Sequence, residues 1–204
     1  DRFSNRTAGG KGGRNNTARS TRALFFFPVI LVIIMNKIFV VGDIHGCFDK
    51  LYALMDKIPI NYAQDQLIFI GDYIDRGQSS VDVVDYLTDF KKLVPETIFL
   101  KGNHEDMLQN YLDGSDRFTY LLNGGQRTLD EYLNRSNNPK AFPIPSKHLE
   151  FFNSLHLYYQ TEDYIFVHAG LRKKVPLESQ EKMDLLWIRD EFVHSNFNFG
   201  KRVI

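Results

Sequence analysis

The stretch LIFIGDYIDRG (Leu67–Gly77) joins an apolar run to a turn of glycine and polar residues. The same order recurs on both sides of it. Ile38–Val41 is followed by Gly42–Gly46 (GDIHG), and Thr97–Leu100 is followed, after one lysine, by Gly102–Glu105 (GNHE). Short runs of β-branched and large apolar residues are typical of buried strands. Each apolar run with the segment that follows it therefore predicts a strand that ends in a polar turn.

Helical periodicity separates these strands. Apolar residues lie three or four positions apart over Phe48–Ile58, and again over Val83–Phe90 after the cap signal Ser79-Ser80. Strands that alternate with helices predict an α/β fold, with right-handed crossovers and a largely parallel sheet covered by helices. Tyr158–Val167 predicts a hairpin of two short strands. In sheets of this kind, functional residues lie beyond the carboxyl ends of the strands.

Composition excludes several classes of protein. The 204 residues are 43% hydrophobic and 25% charged, which fits one domain with a core and not a collagen-like or wholly disordered chain. The single cysteine, Cys47, excludes an internal disulfide and a cysteine-based zinc cluster. The chain is neutral overall, but residues 1–35 hold six basic side chains and one acidic one, so the remainder carries −5. We therefore expect no general nucleic-acid binding, because an acidic body repels phosphates.

The first 34 residues differ from the rest. Residues 1–22 have no apolar periodicity and predict a disordered, basic leader, whereas residues 23–35 are a short apolar run. That run is shorter than the ~20 residues that a membrane-spanning helix needs. Three explanations stay open: translation that begins at Met35, a segment that associates with a membrane, and a cleaved signal. We expect a folded domain over residues 35–204 and a cytoplasmic location.

Polar side chains follow four predicted strand ends. The turns that begin at Gly42, Gly71 and Gly102 are 29 and 31 residues apart, about one strand–helix–strand unit each, so their side chains are expected to meet at one edge of the sheet. The candidate metal ligands are Asp43, His45, Asp72, Asn103 and, after the hairpin, His168. Oxygen and nitrogen ligands without a thiolate suit Mn²⁺, Fe or Zn²⁺. One carboxylate shared by two ions permits a two-metal site.

The four motifs, in this order and spacing, resemble the phosphoprotein-phosphatase branch of the calcineurin-like metallophosphoesterases, especially its small bacterial serine/threonine phosphatases. The resemblance covers nearly all of the predicted domain and implies that this is a catalytic domain. It implies the metallophosphoesterase fold, a central mixed β-sheet sandwich flanked by helices. It also implies two divalent metal ions, with Mn²⁺ favoured over Fe or Zn²⁺. By this resemblance Asp43 and His45 bind the first ion, Asn103 and His168 bind the second, and Asp72 bridges both.

The resemblance further implies a metallophosphatase, in which a metal-bound hydroxide attacks phosphorus directly and in line. His104, oriented by Asp75, would protonate the departing oxygen, a role that suits an imidazole near neutral pH. Arg76 and, by a weaker match, Arg189 would bind the substrate phosphate together with Asn103. A planar guanidinium fits phosphate oxygens well.

The same motifs favour one substrate class. Asp75-Arg76-Gly77 and Glu105 resemble the serine/threonine phosphatases, whereas dinucleoside hydrolases tend to depart at both places. The acidic body offers no obvious basic track for a polyphosphate chain. We therefore expect a phosphoprotein or small phosphoester substrate. Symmetrical dinucleoside-tetraphosphate hydrolysis is the alternative, and a phosphate-binding module with little turnover is a third hypothesis.

Glu105 is expected to support the site from the first turn of a helix rather than to bind metal.

The end of the chain carries a last expectation. The family's second metal ion has a later histidine ligand, in a Gly-His pair just after a strand, and Lys201–Ile204 predicts the beginning of that strand. We therefore expect a catalytic domain that is truncated at its C-terminus, with weak binding of the second ion and slow turnover.

Overall fold

The structure, a computed structural model, describes residues 37–136 and 144–204. The leader predicted over residues 1–34 lies outside the described residues, so its disorder and its apolar run stay predictions. No helix in the two described ranges is both long enough and apolar enough to cross a membrane.

The first sheet contains three parallel strands. They are β1 (Ile38–Val41), β2 (Gln66–Phe69) and β3 (Ile98–Phe99), and they pair in that order. Helix α1 (Phe48–Lys57) connects β1 to β2, and α2 (Ser80–Leu93) connects β2 to β3. The predicted alternation of strand and helix is therefore confirmed, with strand bounds that differ from the predicted ones by at most one residue.

The second sheet contains β4 (Tyr158–Gln160), β5 (Tyr164–Val167) and β6 (Arg202–Val203). Strands β4 and β5 are antiparallel and form the predicted hairpin, whereas β5 and β6 are parallel. Strand β6 lies where Lys201–Ile204 predicted a strand. This second sheet is therefore mixed.

The two sheets pack against each other through a small apolar cluster. Ile68 of β2 and Phe166 of β5 lie in it with Leu100, which directly follows β3, and all three are buried. An isolated parallel bridge from Leu100 to His156 also joins the end of β3 to the chain just before β4. The predicted α/β architecture, a mixed β-sheet sandwich with helices, is confirmed.

Helices cover the sandwich. After α2 the chain forms α3 (Asn103–Asp113), α4 (Arg117–Leu122), α5 (Gln126–Arg135), α6 (Ser146–Asn153), α7 (Lys182–Trp187) and α8 (Asp190–Val193). The main core packs helices on the first sheet: the rings of Phe69 and Phe99 stack with centroids 5.0 Å apart, and Val84 and Leu87 of α2 are fully buried. Burial of such side chains is the main favourable contribution to folding.

The start of α2 is stabilised differently from the prediction. Ser79 is the N-cap residue, but its side chain makes no capping hydrogen bond. Instead, the carboxylate of Glu131 on α5 accepts from the backbone N–H groups of Ser80 (3.2 Å) and Val81 (2.9 Å). A carboxylate from another helix therefore supplies the acceptor and the negative charge that a helix N-terminus favours.

A buried histidine links three helices away from the strand ends. His148 of α6 is fully buried, and its Nε2 lies 3.0 Å from Asp85 Oδ1 on α2. Because a carboxylate can only accept, Nε2 carries the proton, and Nδ1 accepts from the hydroxyl of Tyr132 at 2.9 Å. Lys147 also pairs with Asp85. Burial lowers the pKa of His148, against the opposing effect of Asp85.

We expect this histidine to make the protein less stable below neutral pH. The unfolded chain has the ordinary histidine pKa of about 6.5, whereas the folded pKa is lower. As pH falls through 6.5, the unfolded state therefore binds more protons and the free energy of unfolding decreases. Urea unfolding at pH 7.5 and pH 5.5 should show a smaller loss of stability in His148→Gln than in the unsubstituted protein. Equal losses in both proteins, with exposed His194→Asn as the control, would contradict this expectation.

Candidate active site

The strand ends bring the predicted ligands together around one carboxylate. Asp43 and His45 follow β1, Asp72 follows β2, and His168 follows β5. Nε2 of His45 lies 3.5 Å from Asp72 Oδ2, and Nε2 of His168 lies 3.6 Å from Asp72 Oδ1. Asp43 Oδ2 is 3.9 Å from Nε2 of His45. Each oxygen of Asp72 therefore faces a different imidazole, as a bridging carboxylate between two ions requires.

Backbone carbonyls orient both imidazoles. Nδ1 of His45 is 2.9 Å from the carbonyl oxygen of Ile74, and Nδ1 of His168 is 2.9 Å from that of Ile70. A carbonyl can only accept, so the proton lies on Nδ1 in each ring. Nε2 of each neutral ring then keeps its lone pair available to a metal ion, and in His45 this lone pair accepts from Arg76 Nη1 at 3.0 Å.

Buried polar atoms without partners also mark this centre. Among the described residues, Oδ1 of Asn103 and Nε2 of His168 are buried and make no hydrogen bond. An unsatisfied buried acceptor is costly, and native structures rarely keep one without a compensating group. Both atoms have the chemistry of metal ligands, and His168 belongs to a candidate ion group with Asp43 and Asp72, so the residues present fit the metal that the sequence predicted.

Two groups of residues could each hold an ion. The first is His45, Asp72 and His104, and the second is Asp43, Asp72 and His168, with the ligand atoms in each group within 4.8 Å of one another. Asp72 belongs to both groups, as predicted. The other members are divided differently from the prediction, which placed Asp43 with His45 and gave His104 no ligand role.

His104 and Asp75 form a buried pair beside this centre. Nδ1 of His104 donates to Asp75 Oδ2 at 2.7 Å, and both residues are fully buried. The hydroxyls of Tyr120 (2.9 Å) and Thr128 (2.6 Å) donate to Asp75 Oδ1. Nε2 of His104 is buried and has no hydrogen-bond partner among the described residues. The ring is thus fixed at one nitrogen and free to act at the other.

The sequence did not assign the supports of Asp75. Thr128 lies on α5, Tyr120 lies on α4, and neither residue is part of the four motifs. The only sequence signal was that Asn123-Gly124-Gly125 and Thr128 resemble a variable substrate-side segment of the family, for which no contact was predicted. A threonine 53 positions from Asp75 reaches it only through tertiary packing.

The turns hold an unusual backbone conformation. His45, Asp72, Asp75 and Arg76 all have positive φ, between 46° and 70°. This region is disfavoured for residues other than glycine, and such strain is concentrated at functional sites. The N–H groups of Ile44 and His45 both donate to the carbonyl oxygen of Asp72 at 2.9 Å, so the first turn is hydrogen-bonded to the second.

Glu105 holds the second and third turns together, as expected of a supporting residue. Its buried carboxylate accepts from the backbone N–H groups of Asp72 (2.9 Å), Tyr73 (2.8 Å) and Gly102 (2.9 Å). Burial and the nearby charge of Asp72 raise the pKa of Glu105 to about 8, although the three N–H donors oppose this. Glu105 thus sets the backbone that carries Asp72, and it belongs to neither group of residues that could hold an ion.

The approach of these two turns requires glycine. A Cβ on Gly71 would lie 2.4 Å from the backbone nitrogen of Gly102, and Gly71 has φ +103°. A Cβ on Gly102 would lie 2.1 Å from Asp72 Oδ1. Any larger residue would therefore separate the second strand end from the third.

The two predicted phosphate-binding arginines differ in their surroundings. Arg76 is exposed, and its Nη1 donates to Nε2 of His45 at 3.0 Å. Arg189 is exposed at the beginning of α8, and within the described residues its guanidinium makes no hydrogen bond or ion pair. The structure therefore places Arg76 beside the predicted ligands, whereas the role of Arg189 stays a prediction.

The sandwich and the candidate metal ligands at its strand ends are those of a metallophosphoesterase. The chain belongs to the calcineurin-like phosphoesterase family, whose model matches residues 36–203. The family predicted from the motifs is therefore confirmed, and it is a family of phosphoric ester hydrolases.

Similar proteins have two kinds of name. Serine/threonine-protein phosphatase 2 of Escherichia coli is 33% identical over 157 residues, which cover 74% of this chain and 67% of that protein. The asymmetrical bis(5'-nucleosyl)-tetraphosphatase PrpE of Halalkalibacterium halodurans is 28% identical over 144 residues, which cover 66% of this chain and 57% of that protein. The chain therefore spans roughly three fifths of the length of such relatives.

Solved structures share the fold. A putative diadenosine tetraphosphatase superposes with a TM-score of 0.56 at 20% identity, covering 79% of this chain and 67% of that chain. A serine/threonine phosphatase from Saccharomyces cerevisiae superposes with a TM-score of 0.53 at 24% identity, covering 74% of this chain and 48% of that one. At these identities the likeness concerns the fold alone.

Proposed function

We propose that this chain is the catalytic part of a metal-dependent phosphomonoester hydrolase, with a protein serine/threonine phosphatase activity. The observation that carries the proposal is the buried His104–Asp75 pair beside Asp72. It places an imidazole with one fixed and one free nitrogen next to a carboxylate that faces two further imidazoles. This is a proton donor beside a metal centre, the combination that phosphoester cleavage needs.

The ligand set would hold two divalent cations, of which Mn²⁺ is our first choice. Asp43, His45, Asp72, Asn103 and His168 are the proposed ligands. When bound, such a pair of cations supplies a Lewis acid and lowers the pKa of water. The two imidazoles are already oriented for this role by the carbonyls of Ile70 and Ile74.

The protein's own residues supply binding and proton transfer. Arg76, on its strained turn, presents an exposed guanidinium at the edge of the ligand set, where it can hold phosphate oxygens by two parallel hydrogen bonds. As an imidazolium, His104 delivers the proton on Nε2 to the departing oxygen and becomes neutral, while Nδ1–H stays bonded to Asp75. Tyr120 and Thr128 fix the Asp75 carboxylate, so the ring cannot rotate away.

Two features favour a phosphoprotein substrate. The sequence keeps Asp75-Arg76-Gly77 together with Glu105, the combination that resembles the serine/threonine phosphatases. The relative that is 33% identical carries that name. Hydrolysis of a dinucleoside tetraphosphate is the second candidate, because several relatives at 27–29% identity are named as asymmetrical or symmetrical bis(5'-nucleosyl)-tetraphosphatases.

One comparison tests the proposal. The 204-residue chain is assayed with Mn²⁺ on a phosphoserine peptide and on diadenosine tetraphosphate, at one enzyme concentration, with a metal-free sample as the control. We expect metal-dependent release of phosphate, with the higher kcat/KM on the peptide. A strong preference for the dinucleotide would select the second candidate, and p-nitrophenyl phosphate left intact with Mn²⁺ present would indicate a binding module instead.

A further inference from the structure

A cavity opens beside Arg76, the candidate phosphate-binding arginine. It has a volume of about 380 Å³, and it is lined by the turn after β1, the first turn of α1, the turn after β2 and the start of α5. Arg76 belongs both to this cavity and to the candidate active site. The cavity therefore begins where a bound phosphate would be held.

Three positive side chains line this cavity. They are Arg76, Lys50 of α1 and Arg127 of α5, and the one acidic lining residue in the described part of the chain is Asp49. Within the described residues Lys50 and Arg127 form no ion pair, and the guanidinium of Arg127 makes one hydrogen bond, to the backbone oxygen of Arg76 at 3.5 Å. The cavity thus carries a net charge of two positive units on a body that is acidic outside the leader.

The position of Arg127 is fixed by the active site itself. The next residue, Thr128, donates to Asp75, and Asp75 orients His104. Arg127 therefore stands at a set place relative to Arg76, rather than on a mobile loop. Nη1 of Arg127 lies 3.5 Å from the backbone oxygen of Arg76, and both arginines line this one cavity.

We propose that Lys50 and Arg127 form a second anion subsite that selects phosphopeptides with an acidic residue near the phosphoserine. This inference rests on the proposed phosphatase function, which it makes more specific. The carboxylate of that residue would pair with Lys50 and Arg127 while Arg76 holds the phosphate. Charge-assisted hydrogen bonds from guanidinium and ammonium groups suit either a carboxylate or a second phosphate, so the experiment distinguishes these two sources.

The test uses two phosphoserine peptides that are identical except for Glu or Gln at the two positions on each side of the phosphoserine. An exposed charge pair is worth up to ~1 kcal/mol, or about fivefold in an equilibrium constant. We expect kcat/KM for the Glu peptide to exceed that for the Gln peptide by about fivefold at low salt. In Lys50→Gln/Arg127→Gln this ratio should fall close to one. Lys50→Gln alone should give an intermediate ratio.

Lys57→Gln is the matched control. Lys57 is also an exposed lysine of α1, but it lies in the last turn, away from the cavity, so the variant should keep the ratio of the unsubstituted protein. Circular dichroism melting of each variant checks that the fold is retained. An equal ratio in Lys57→Gln and in the double variant would overturn the subsite.

The remaining outcomes separate the subsite from the proposed function. Hydrolysis of both peptides at equal kcat/KM would overturn the subsite and leave the phosphatase function standing. Hydrolysis of diadenosine tetraphosphate without hydrolysis of either peptide would overturn both. A loss in the double variant confined to the dinucleotide would show that the cavity binds a polyphosphate chain and would overturn the peptide assignment.

Discussion

His104→Asn should lower turnover of a phosphoserine peptide by about 10²–10⁴, the usual contribution of general acid catalysis. The reason is the geometry of the ring: Nδ1 is bonded to a buried carboxylate at 2.7 Å, and Nε2 is the free atom. Asparagine keeps a polar side chain at the position but cannot deliver a proton. The loss should be much smaller for p-nitrophenyl phosphate, because its leaving group departs without protonation.

Metal content decides between two roles of His104. A ring nitrogen of His104 also lies within 4.8 Å of ligand atoms of His45 and Asp72, so the ring could serve as a ligand instead of an acid. If His104 is the general acid, the variant His104→Asn should hold as much Mn²⁺ as the unsubstituted protein. His194→Asn, at an exposed position, is the control. A reduced metal content, or equal losses on both substrates, would contradict the assignment of His104 as the acid.

The sequence alone predicted most of the sheet because each strand carries its own signal. Ile38–Val41 is an apolar run of the right length, and the structure places β1 at those residues. The turn that follows is marked by glycine. Parallel pairing then brings successive strand ends to one edge whatever the details of the helices. Local patterns of this kind are sufficient to predict that Asp43 and Asp72 meet, whereas His168 follows β5 of the second sheet and reaches them through the packing of the two sheets.

The parts that the sequence missed depend on contacts between distant positions. Thr128 supports Asp75 across 53 residues, and Glu131 caps α2 across 50. Both side chains lie on α5, where a polar residue of a helix has no periodic signal that distinguishes a buried partner from solvent. Ser79 is the N-cap residue where the sequence predicted the start of the helix, but a carboxylate from another helix, and not the Ser79 side chain, accepts the capping hydrogen bonds.

The sequence patterns also did not predict the strained backbone of the turns. The positive φ of Asp72 and Arg76 would not be expected of such residues in a turn. This conformation of the turn is retained because Glu105 accepts hydrogen bonds from the backbone N–H groups of Asp72 and Tyr73. Glu105 was expected to support the site, and the hydrogen bonds that its carboxylate accepts from four backbone N–H groups explain how it does so.

Asp72→Asn should reduce the metal content by about one ion per chain, because both candidate ion groups share this carboxylate. Asparagine has the same shape and can still accept the backbone N–H of His104, which Asp72 Oδ1 accepts at 3.1 Å. The measurement is metal analysis of protein dialysed against Mn²⁺ without chelator. Asp56→Asn, an exposed position on α1, is the control that should keep the full metal content.

The same variant should change stability in opposite directions with and without metal. Asp72 and Glu105 are both buried carboxyl groups, and their mutual repulsion is one reason that the pKa of Glu105 is raised. Without metal, Asp72→Asn removes this repulsion, so its melting temperature should equal or exceed that of the unsubstituted protein. With Mn²⁺ the order should reverse, because a ligand that binds the folded state stabilises it more when it binds more tightly. The same order in both conditions, or unchanged metal content, would remove Asp72 from the ligand set.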